Sequence, residues 1–363
     1  MAAIGAIYEP TFFTRDSVSE EPYRVRRVSV ASAGFAYHGI QTSKDLVRVL
    51  LQGGSRSDAE RETQFDLQYL QTAAGLQHRE GRKLDRFSLL ALAGARAAII
   101  GSHMRPNNTS QCGIYAGGMF GGWTFTEPQV RALHNDGIGA ISPYLATAWF
   151  PGAPQGQISI HMQLTGFAKT VTTDRCCGAQ AIGLAFERIS EGLTPELMLA
   201  GAAEAPMTPF IQAALAQIPG HTVSVVEASA FLLLSAGDVS RVQIRDHSTF
   251  CNKLSASYAI ERITKKTIEF VERLPKVPDV IMCNLPLMAG LENRVTKAIR
   301  PYVGQQGMLL FPTQVFGETL GASGALAAVA AREMLSTEYA TSVLILSVGH
   351  QCGDLLLISR EED

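Results

Sequence analysis

The chain repeats one order of strand-like and helix-like segments, and this repeat limits its fold more than any other feature. The first half runs from the strand-like segment 28–34, VSVASAG, through alternating helical and strand segments to 225–235, VVEASAFLLLS. The second half runs from 241–247, RVQIRDH, through a comparable series to two strand-like segments at 342–349 and 353–359. Such a repeat of βα units ending in strand pairs is typical of a duplicated α/β protein with layered sheets.

Hydrophobic periodicity and the positions of Gly and Pro predict the individual elements. The residue spacing predicts helices at 85–99, 177–192, 255–273, 290–302 and 320–335, and strands at 112–118, 168–173, 197–205, 279–284 and 308–312. Segment 43–72 predicts an amphipathic helix with a long insertion, and 119–165 is predicted to be rich in loops, with two helices over 141–164. Segments 225–235 and 241–247 are predicted to pair as a hairpin.

No linker rich in Pro and Ser separates the two halves, so the sequence predicts one compact pseudo-symmetric body. The predicted boundaries are an N-terminal lead-in over 1–25, an N-terminal half over 26–235 and a C-terminal half over 236–363.

Composition excludes several classes of function. Hydrophobic residues make up 46% of the chain and charged residues 18%, which is sufficient for a large core. The formal net charge of −2 does not favour nucleic acid or an anionic membrane as a partner. No apolar run is long enough to span a bilayer, and the N-terminal stretch MAAIGAIYEPTFFTRDSVSEEP lacks the pattern of a signal peptide. The sequence therefore predicts a cytoplasmic protein.

Cysteine spacing gives no indication of a metal centre. The six cysteines are Cys112, Cys176, Cys177, Cys251, Cys283 and Cys352. None belongs to a CxxC pair, and scattered cysteines in strand-like runs are typical of small buried residues in a reducing compartment. We predict no metal ion and no cofactor.

Seven segments, taken in order, resemble the β-ketoacyl-ACP synthases. They are DRFSLLALAGARAAI, ISPYLATAWFPGAPQGQISI, KTVTTDRCCGAQAIGLAFERISEG, LMLAGAAEAPMTPF, VVEASAFLLLS, FGETLGASGALAAV and VGHQCGDLLLI, and the resemblance is expected to extend over roughly residues 26–359. The resemblance implies an α/β, thiolase-like fold, in which duplicated βαβαβαββ halves form an αβαβα layered sandwich.

A condensing ketosynthase needs a particular set of groups. A Cys at a helix N-terminus carries the acyl chain as a thioester, and two His side chains stabilise the charge that develops on the malonyl thioester oxygen. A nearby Lys helps to fix the geometry. The resemblance aligns these positions with Arg175 for the Cys, Pro286 and Glu318 for the two His, and Thr313 for the Lys. A guanidinium forms no thioester, Pro has no side-chain donor, and an ionised Glu repels an oxyanion.

These replacements are similar to those in the chain-length factors of type II polyketide synthases. The resemblance implies a subunit that does not condense, pairs with an active ketosynthase, shapes the tunnel for the growing chain and works with an acyl carrier protein. The residues it implies at the tunnel or the subunit interface are Met119, Phe120, Trp123, Lys169, Thr170, Val171, Thr172, Thr173 and His350. Packing within the subunit is an equal alternative for Met119, Phe120 and Trp123.

Two other functions stay open at this point. The elbow is the turn between the strand predicted at 168–173 and the helix predicted at 177–192. A shift of one residue in this elbow would make Cys176 the nucleophile of an active acyltransferase or condensing enzyme, with His350 as a candidate partner. A homodimeric binding module with a vestigial pocket is the other. We also expect an ion pair between Arg175 and Glu318, because a cation at a helix start opposes the helix dipole. Asp174 is a candidate helix cap.

Overall fold

A computed structural model describes residues 26–53, 64–102, 110–218, 225–255, 258–303 and 307–361. The predicted lead-in over 1–25 lies outside the described residues. The strands are β1 Val28–Tyr37, β2 Gly113–Gly117, β3 Ala168–Val171, β4 Leu197–Glu204, β5 Ala228–Ala236, β6 Val242–Cys251, β7 Val280–Asn284, β8 Met308–Leu310, β9 Ser342–Val348 and β10 Cys352–Arg360.

The helices connect these strands and cover the sheet. They are α1 Ser43–Gln52, α2 Leu67–Ala73, α3 His78–Gly81, α4 Arg86–Ile100, α5 Trp123–Asp136, α6 Leu145–Ala148, α7 Ala153–His161, α8 Cys177–Ser190, α9 Pro209–Ala216, α10 Ala259–Glu272, α11 Leu291–Ile299, α12 Pro312–Phe316 and α13 Ser323–Ser336. Short 3₁₀ turns lie at Ile138–Ala140, Arg300–Tyr302 and Leu320–Ala322. Among the described residues, no helix is long and apolar enough to cross a membrane.

The strand order shows the duplication that the sequence predicts. The strands follow the order β3-β2-β4-β5-β1-β6-β10-β9-β7-β8. From the centre outwards, β1-β5-β4-β2-β3 and β6-β10-β9-β7-β8 have the same sequence of antiparallel and parallel pairings. Among the described residues, the strands of the two five-stranded units pair with each other only at Val28↔Ile244 and Ser29↔Gln243, between β1 and β6. The structure is therefore a duplicated α/β fold, whereas the exact boundary at 235/236 remains a prediction.

Two helices form the layer between the two strand sets. Helices α8 and α13 pack against each other and against strands of both halves. Helix α4 covers the outer face of the first half, and α10 and α11 cover the second. The hydrophobic core divides accordingly into one central cluster with residues from both halves and two outer clusters. This is the predicted αβαβα arrangement.

Small residues allow the two central helices to approach closely. A Cβ on Gly178, at the start of α8, would lie 2.4 Å from the carbonyl oxygen of Gly321. A Cβ on Gly324 would lie 2.8 Å from Cβ of Ala179. Because interiors are close-packed, a larger side chain at either position would push the helices apart and move the turns that precede them.

Some predictions about individual elements were wrong. Strands β5 and β6 do not form a hairpin, because β1 lies between them and pairs with both. Helix α5, Trp123–Asp136, occupies a segment predicted to be rich in loops, and it contains Pro128. Helix α1 ends at Gln52 and α2 begins at Leu67, while 54–63 lie outside the described residues.

Candidate active site

The candidate active site lies at the turn between β3 and α8, where the resemblance aligns Arg175 with the nucleophile. Helix α8 begins at Cys177, and Arg175 precedes its N-cap residue, Cys176. The Arg175 side chain is only 2% exposed and points to the carboxyl ends of β7 and β9. A guanidinium therefore occupies the space in front of the elbow.

All the donor nitrogens of Arg175 have protein acceptors. Nη1 donates to the carbonyl oxygens of Asn284, at 2.7 Å, and Val348, at 2.9 Å. Nη2 donates to Oγ1 of Thr313 at 3.2 Å and to Oε1 of Glu318 at 3.0 Å, and Nε donates to the same Oε1 at 3.3 Å. A guanidinium has five N–H donors. These five contacts account for them, so the side chain has no donor left for a substrate carboxylate.

The predicted ion pair between Arg175 and Glu318 is present. Both side chains are almost fully buried, at 2% and 0% exposure. Oε1 of Glu318 also accepts from the amide of Leu320 at 2.9 Å, while Oε2 has no hydrogen-bond partner among the described residues. The charge on Glu318 is therefore balanced mainly by Arg175.

A polar network extends the site behind Arg175. Oγ1 of Thr313 donates to Oδ1 of Asn284 at 2.8 Å. Nδ2 of Asn284 donates to the hydroxyls of Ser323, at 3.0 Å, and Ser347, at 3.4 Å. Arg175, Glu318 and Thr313 thus meet in one buried cluster. Pro286 is also buried and follows β7 by two residues, but it has no side-chain donor to contribute.

Asp174 connects the elbow to the β9–β10 turn. Its Oδ1 accepts from the amide of Cys176 at 3.0 Å, and its Oδ2 accepts from the amide of Gln351 at 2.8 Å. Burial alone would raise the pKa of Asp174, but donors that include the Cys352 thiol and the Gln351 amide outweigh it and hold the pKa below its usual value. The N-cap residue itself is Cys176, so the predicted cap, Asp174, accepts from the N-cap amide and lies two residues before it.

Cys176 has the surroundings of an inert thiol. The residue is fully buried, and its Sγ lies 3.6 Å from the carbonyl oxygen of Cys352. Burial, followed by the Cys352 side chain and the Asp174 carboxylate, raises the pKa of the thiol well above its usual value. Because the thiolate is the nucleophile, these surroundings oppose acyl transfer to Cys176.

The neighbouring Cys177 faces a second buried acid. Burial and the carboxylate of Glu204 raise the pKa of Cys177 well above its usual value. Burial also raises the pKa of Glu204 to about 8, although the amides of Met119 and Phe120 donate to that carboxyl group. The sequence identified Glu204 only as part of a family-like strand, and the structure shows that it fixes the loop after β2.

His350 lies in the β9–β10 turn and is half-buried. Burial and the Arg175 guanidinium lower the pKa of its imidazole, so the ring is neutral at pH 7. The predicted tunnel or interface role of His350 remains a prediction.

The apolar residues after β2 pack within the chain. The Trp123 ring stacks on Phe210 with centroids 4.1 Å apart. Met119, Phe120 and Trp123 are all half-buried against a cluster formed by Ile211, Leu215, Val225 and Leu320. The contacts of Met119, Phe120 and Trp123 favour packing within the subunit for the buried part of each side chain. The predicted role of these residues at a tunnel or an interface remains a prediction for the exposed part.

The predicted dimer strand Lys169–Thr173 is shorter than expected. Strand β3 ends at Val171, and Thr172 and Thr173 belong to the turn that leads to Arg175. Oγ1 of Thr173 donates to Oε1 of Gln180 in α8 at 2.6 Å. In the described part of the chain β3 pairs only with β2, so β3 is an edge strand.

The fold and the elbow geometry place the molecule among thiolase-like proteins of the ketosynthase kind, and comparison with known proteins agrees. The β-ketoacyl synthase N-terminal domain matches residues 51–231. The chain belongs to the β-ketoacyl synthase family.

Curated relatives match a limited segment. The chain is 29% identical over 132 residues to the Staphylococcus aureus 3-oxoacyl-[acyl-carrier-protein] synthase 2, and the match covers 36% of this chain and 32% of that enzyme. It is 30% identical over 131 residues to a putative polyketide β-ketoacyl synthase 2 of Streptomyces cyaneus, covering 35% and 31% respectively. The matched segment thus spans about a third of each relative.

Solved structures match the fold over nearly the whole chain. A type II polyketide synthase ketosynthase in complex with its acyl-carrier protein has a TM-score of 0.77 at 23% identity, covering 93% of this chain and 99% of that chain. The ishigamide ketosynthase/chain length factor has a TM-score of 0.76 at 16% identity, covering 93% and 100%. A β-ketoacyl synthase from Burkholderia phymatum has a TM-score of 0.73 at 15% identity, with the same coverage.

Proposed function

We propose that this chain is a non-condensing ketosynthase-like subunit, a chain-length factor, that pairs with an active ketosynthase in the cytoplasm. In that pair it shapes the tunnel for the acyl or polyketide chain during elongation on an acyl carrier protein. The observation that carries this proposal is Arg175, which occupies the elbow and uses all its donors on protein acceptors.

The chemistry of condensation explains why this replacement matters. An acyl chain must first leave its carrier as a thioester on the elbow side chain, and an arginine has no nucleophilic sulfur. The decarboxylation step then needs donors that face a developing oxyanion. At the two positions aligned with the imidazoles, the chain has Glu318, an acceptor engaged by Arg175, and Pro286, which has no side-chain donor.

The second candidate, an active acyltransferase that uses Cys176, has less support. A covalent catalyst needs an exposed or readily exposed thiolate next to a base. Cys176 is fully buried, and its nearest acid, Asp174, disfavours the thiolate. His350, the candidate partner of Cys176, is half-buried, and its lowered pKa makes it a weak base.

The partner proposal rests on the fold and on the exposed edge. One solved structure of the same fold is a ketosynthase/chain length factor, and another is a ketosynthase in complex with an acyl-carrier protein. Strand β3 offers an open edge on this chain, and exposed apolar residues lie nearby in the chain, at Ile138, Trp149 and Ile160. An open strand edge and exposed apolar side chains are both suited to pairing with a second ketosynthase fold.

The proposal is tested by reconstitution. The chain is mixed with a type II ketosynthase that has an intact Cys-His-His set, and the mixture is analysed by light scattering and by elongation of an acyl primer from malonyl-ACP. We expect a one-to-one complex, and elongation that requires the partner's nucleophilic Cys. Two results would overturn the proposal: elongation that persists when the partner's Cys is changed to Ala, or a stable homodimer of this chain that binds none of the ketosynthases tested.

A further inference from the structure

A cluster of metal-ligating groups lies beside the elbow and has no part in the function proposed above. Oδ1 of Asp174, Sγ of Cys176 and Sγ of Cys352 lie within 4.8 Å of one another. Local residue spacing does not indicate the cluster, because Cys176 and Cys352 are 176 residues apart and meet only when the β9–β10 turn folds over the start of α8.

We propose that Asp174, Cys176 and Cys352 bind one Zn²⁺ or a similar thiolate-preferring divalent ion, with a fourth position open to water or another ligand. Zinc binds Cys sulfur at about 2.3 Å and carboxylate oxygen at about 2.0–2.2 Å. In a tetrahedral site these lengths place the ligand atoms about 3.6–3.8 Å apart. The present separations include 3.0 Å between the Cys352 thiol and Asp174 and extend no further than 4.8 Å. Small side-chain rotations therefore suffice to surround an ion.

The groups around the three ligands resemble the outer hydrogen bonds of metal sites. The Asp174 carboxylate is oriented by the amides of Cys176, Gln351 and Cys352. Nε2 of Gln180 lies 3.5 Å from Sγ of Cys352, where it can donate to a thiolate. Such outer partners fix the direction of the ligands and tune affinity.

The charge of this cluster is compatible with a divalent cation. A divalent ion that replaces the two thiol protons leaves the net charge of the cluster unchanged, so ion binding adds no buried charge. The Arg175 guanidinium, which follows Asp174, is already paired with Glu318 and adds little repulsion. Cys352 is partly exposed and provides a route from solvent.

The site would tie the elbow to the β9–β10 turn. Asp174 and Cys176 belong to the turn before α8, and Cys352 begins β10. The role we assign to the ion is structural, because Arg175 fills the neighbouring space where a substrate would react. The inference does not depend on the proposed subunit role.

Cobalt titration tests the site directly. The reduced full-length chain is titrated with Co²⁺, and the thiolate-to-cobalt charge-transfer band and the metal content after dialysis against Zn²⁺ are measured. We expect one ion per chain, binding that tightens as the pH rises because two thiol protons are released, and affinity at least about tenfold weaker in Cys352→Ser and in Cys176→Ser.

Two control variants locate the effect. Cys112→Ser changes a buried cysteine in another part of the chain, and Cys251→Ser changes the exposed cysteine opposite Cys352 on β6. Both should bind Co²⁺ like the unaltered chain, and circular dichroism should confirm that each variant is folded. Absence of the band, a band equally lost in Cys251→Ser, or loss of two hydrogens through a Cys176–Cys352 disulfide without metal binding would overturn the proposal.

Discussion

Arg175 and Glu318 are 143 residues apart in the sequence, yet Nη2 of the arginine lies 3.0 Å from Oε1 of the glutamate inside the protein. The pair connects the turn before α8 to the segment between α12 and α13, so it joins the two halves of the duplicated fold. The two positions that the resemblance aligns with a nucleophile and an imidazole thus hold a mutually neutralising pair.

The first prediction concerns the stability of this pair. Arg175→Met should lower the free energy of unfolding by about 3–5 kcal/mol, because it leaves the Glu318 charge buried without compensation. In Arg175→Met/Glu318→Gln the loss should be smaller than the sum of the single losses, with a coupling energy above about 1 kcal/mol. Urea unfolding followed by circular dichroism measures each value.

A matched control comes from an exposed pair. Arg131 and Glu127 form an ion pair in α5 at 2.7 Å, with the arginine side chain 67% exposed. Arg131→Met should cost less than about 1 kcal/mol. Equal losses in Arg131→Met and Arg175→Met would show that the buried pair does not carry the stability we assign to it.

The second prediction concerns close packing at His247. A Cβ on Gly183 in α8 would lie 2.1 Å from the imidazole of His247. Gly183→Ala should destabilise the protein by about 1–3 kcal/mol, because the helix or the ring must move. Gly156→Ala in α7 is the control, since a Cβ there meets nothing within 4 Å, and it should be neutral or slightly stabilising. Thermal unfolding of both variants measures the difference; equal midpoints would contradict the prediction.

The third prediction concerns pH. Although burial opposes the charge on His247, the carboxylates of Asp354 and Glu187 outweigh burial and raise its pKa to about 10. The folded protein therefore holds a proton that the unfolded chain releases near pH 6.5. The stabilisation is fully present below about pH 6.5 and is lost as the pH rises towards 10, by up to about 1.4 kcal/mol per pH unit.

Urea unfolding at pH 7, 8 and 9 measures this slope. The slope should be shallower in His247→Gln than in the unaltered chain, while His134→Gln, at an exposed position, should leave it unchanged. A slope that is the same in all three proteins would mean that His247 is not the group responsible.

The fourth prediction concerns the open edge of β3. In an edge strand, every second backbone amide points away from the sheet. Lys169 and Thr170 are adjacent, so one of their two amides lies on the free edge, and the proline substitution at that residue removes this donor. If β3 pairs with the partner ketosynthase, that variant should bind the partner at least about tenfold more weakly while unfolding at the same temperature. Isothermal titration of both variants is the measurement; unchanged affinity in both would place the interface elsewhere.

The sequence predicted the order of elements well because hydrophobic periodicity, and the glycines that end strands and helices, are local signals. It also predicted that Arg175 and Glu318 would meet, since both positions align with groups that converge in the family. It predicted a hairpin between β5 and β6 wrongly, because chain proximity does not show that β1 enters between them.

Two further features depended on tertiary structure. Helix α5 was missed because Gly121, Gly122 and Pro128 are typical of loops, although the helix forms and Thr126 bonds back to Gly122. The Asp174–Cys176–Cys352 cluster was missed because its ligands come from the elbow and from β10, with no local spacing that indicates a metal. Both result from packing of distant segments rather than from local pattern.

The most direct test of the account is intact-protein mass spectrometry of the chain alone after incubation with an acyl carrier protein charged with an acyl thioester. With Arg175 at the elbow and Cys176 buried, we predict no acyl adduct and an identical spectrum for Cys176→Ala. A stoichiometric acyl adduct that peptide mapping assigns to Cys176, and that Cys176→Ala abolishes, would contradict the account.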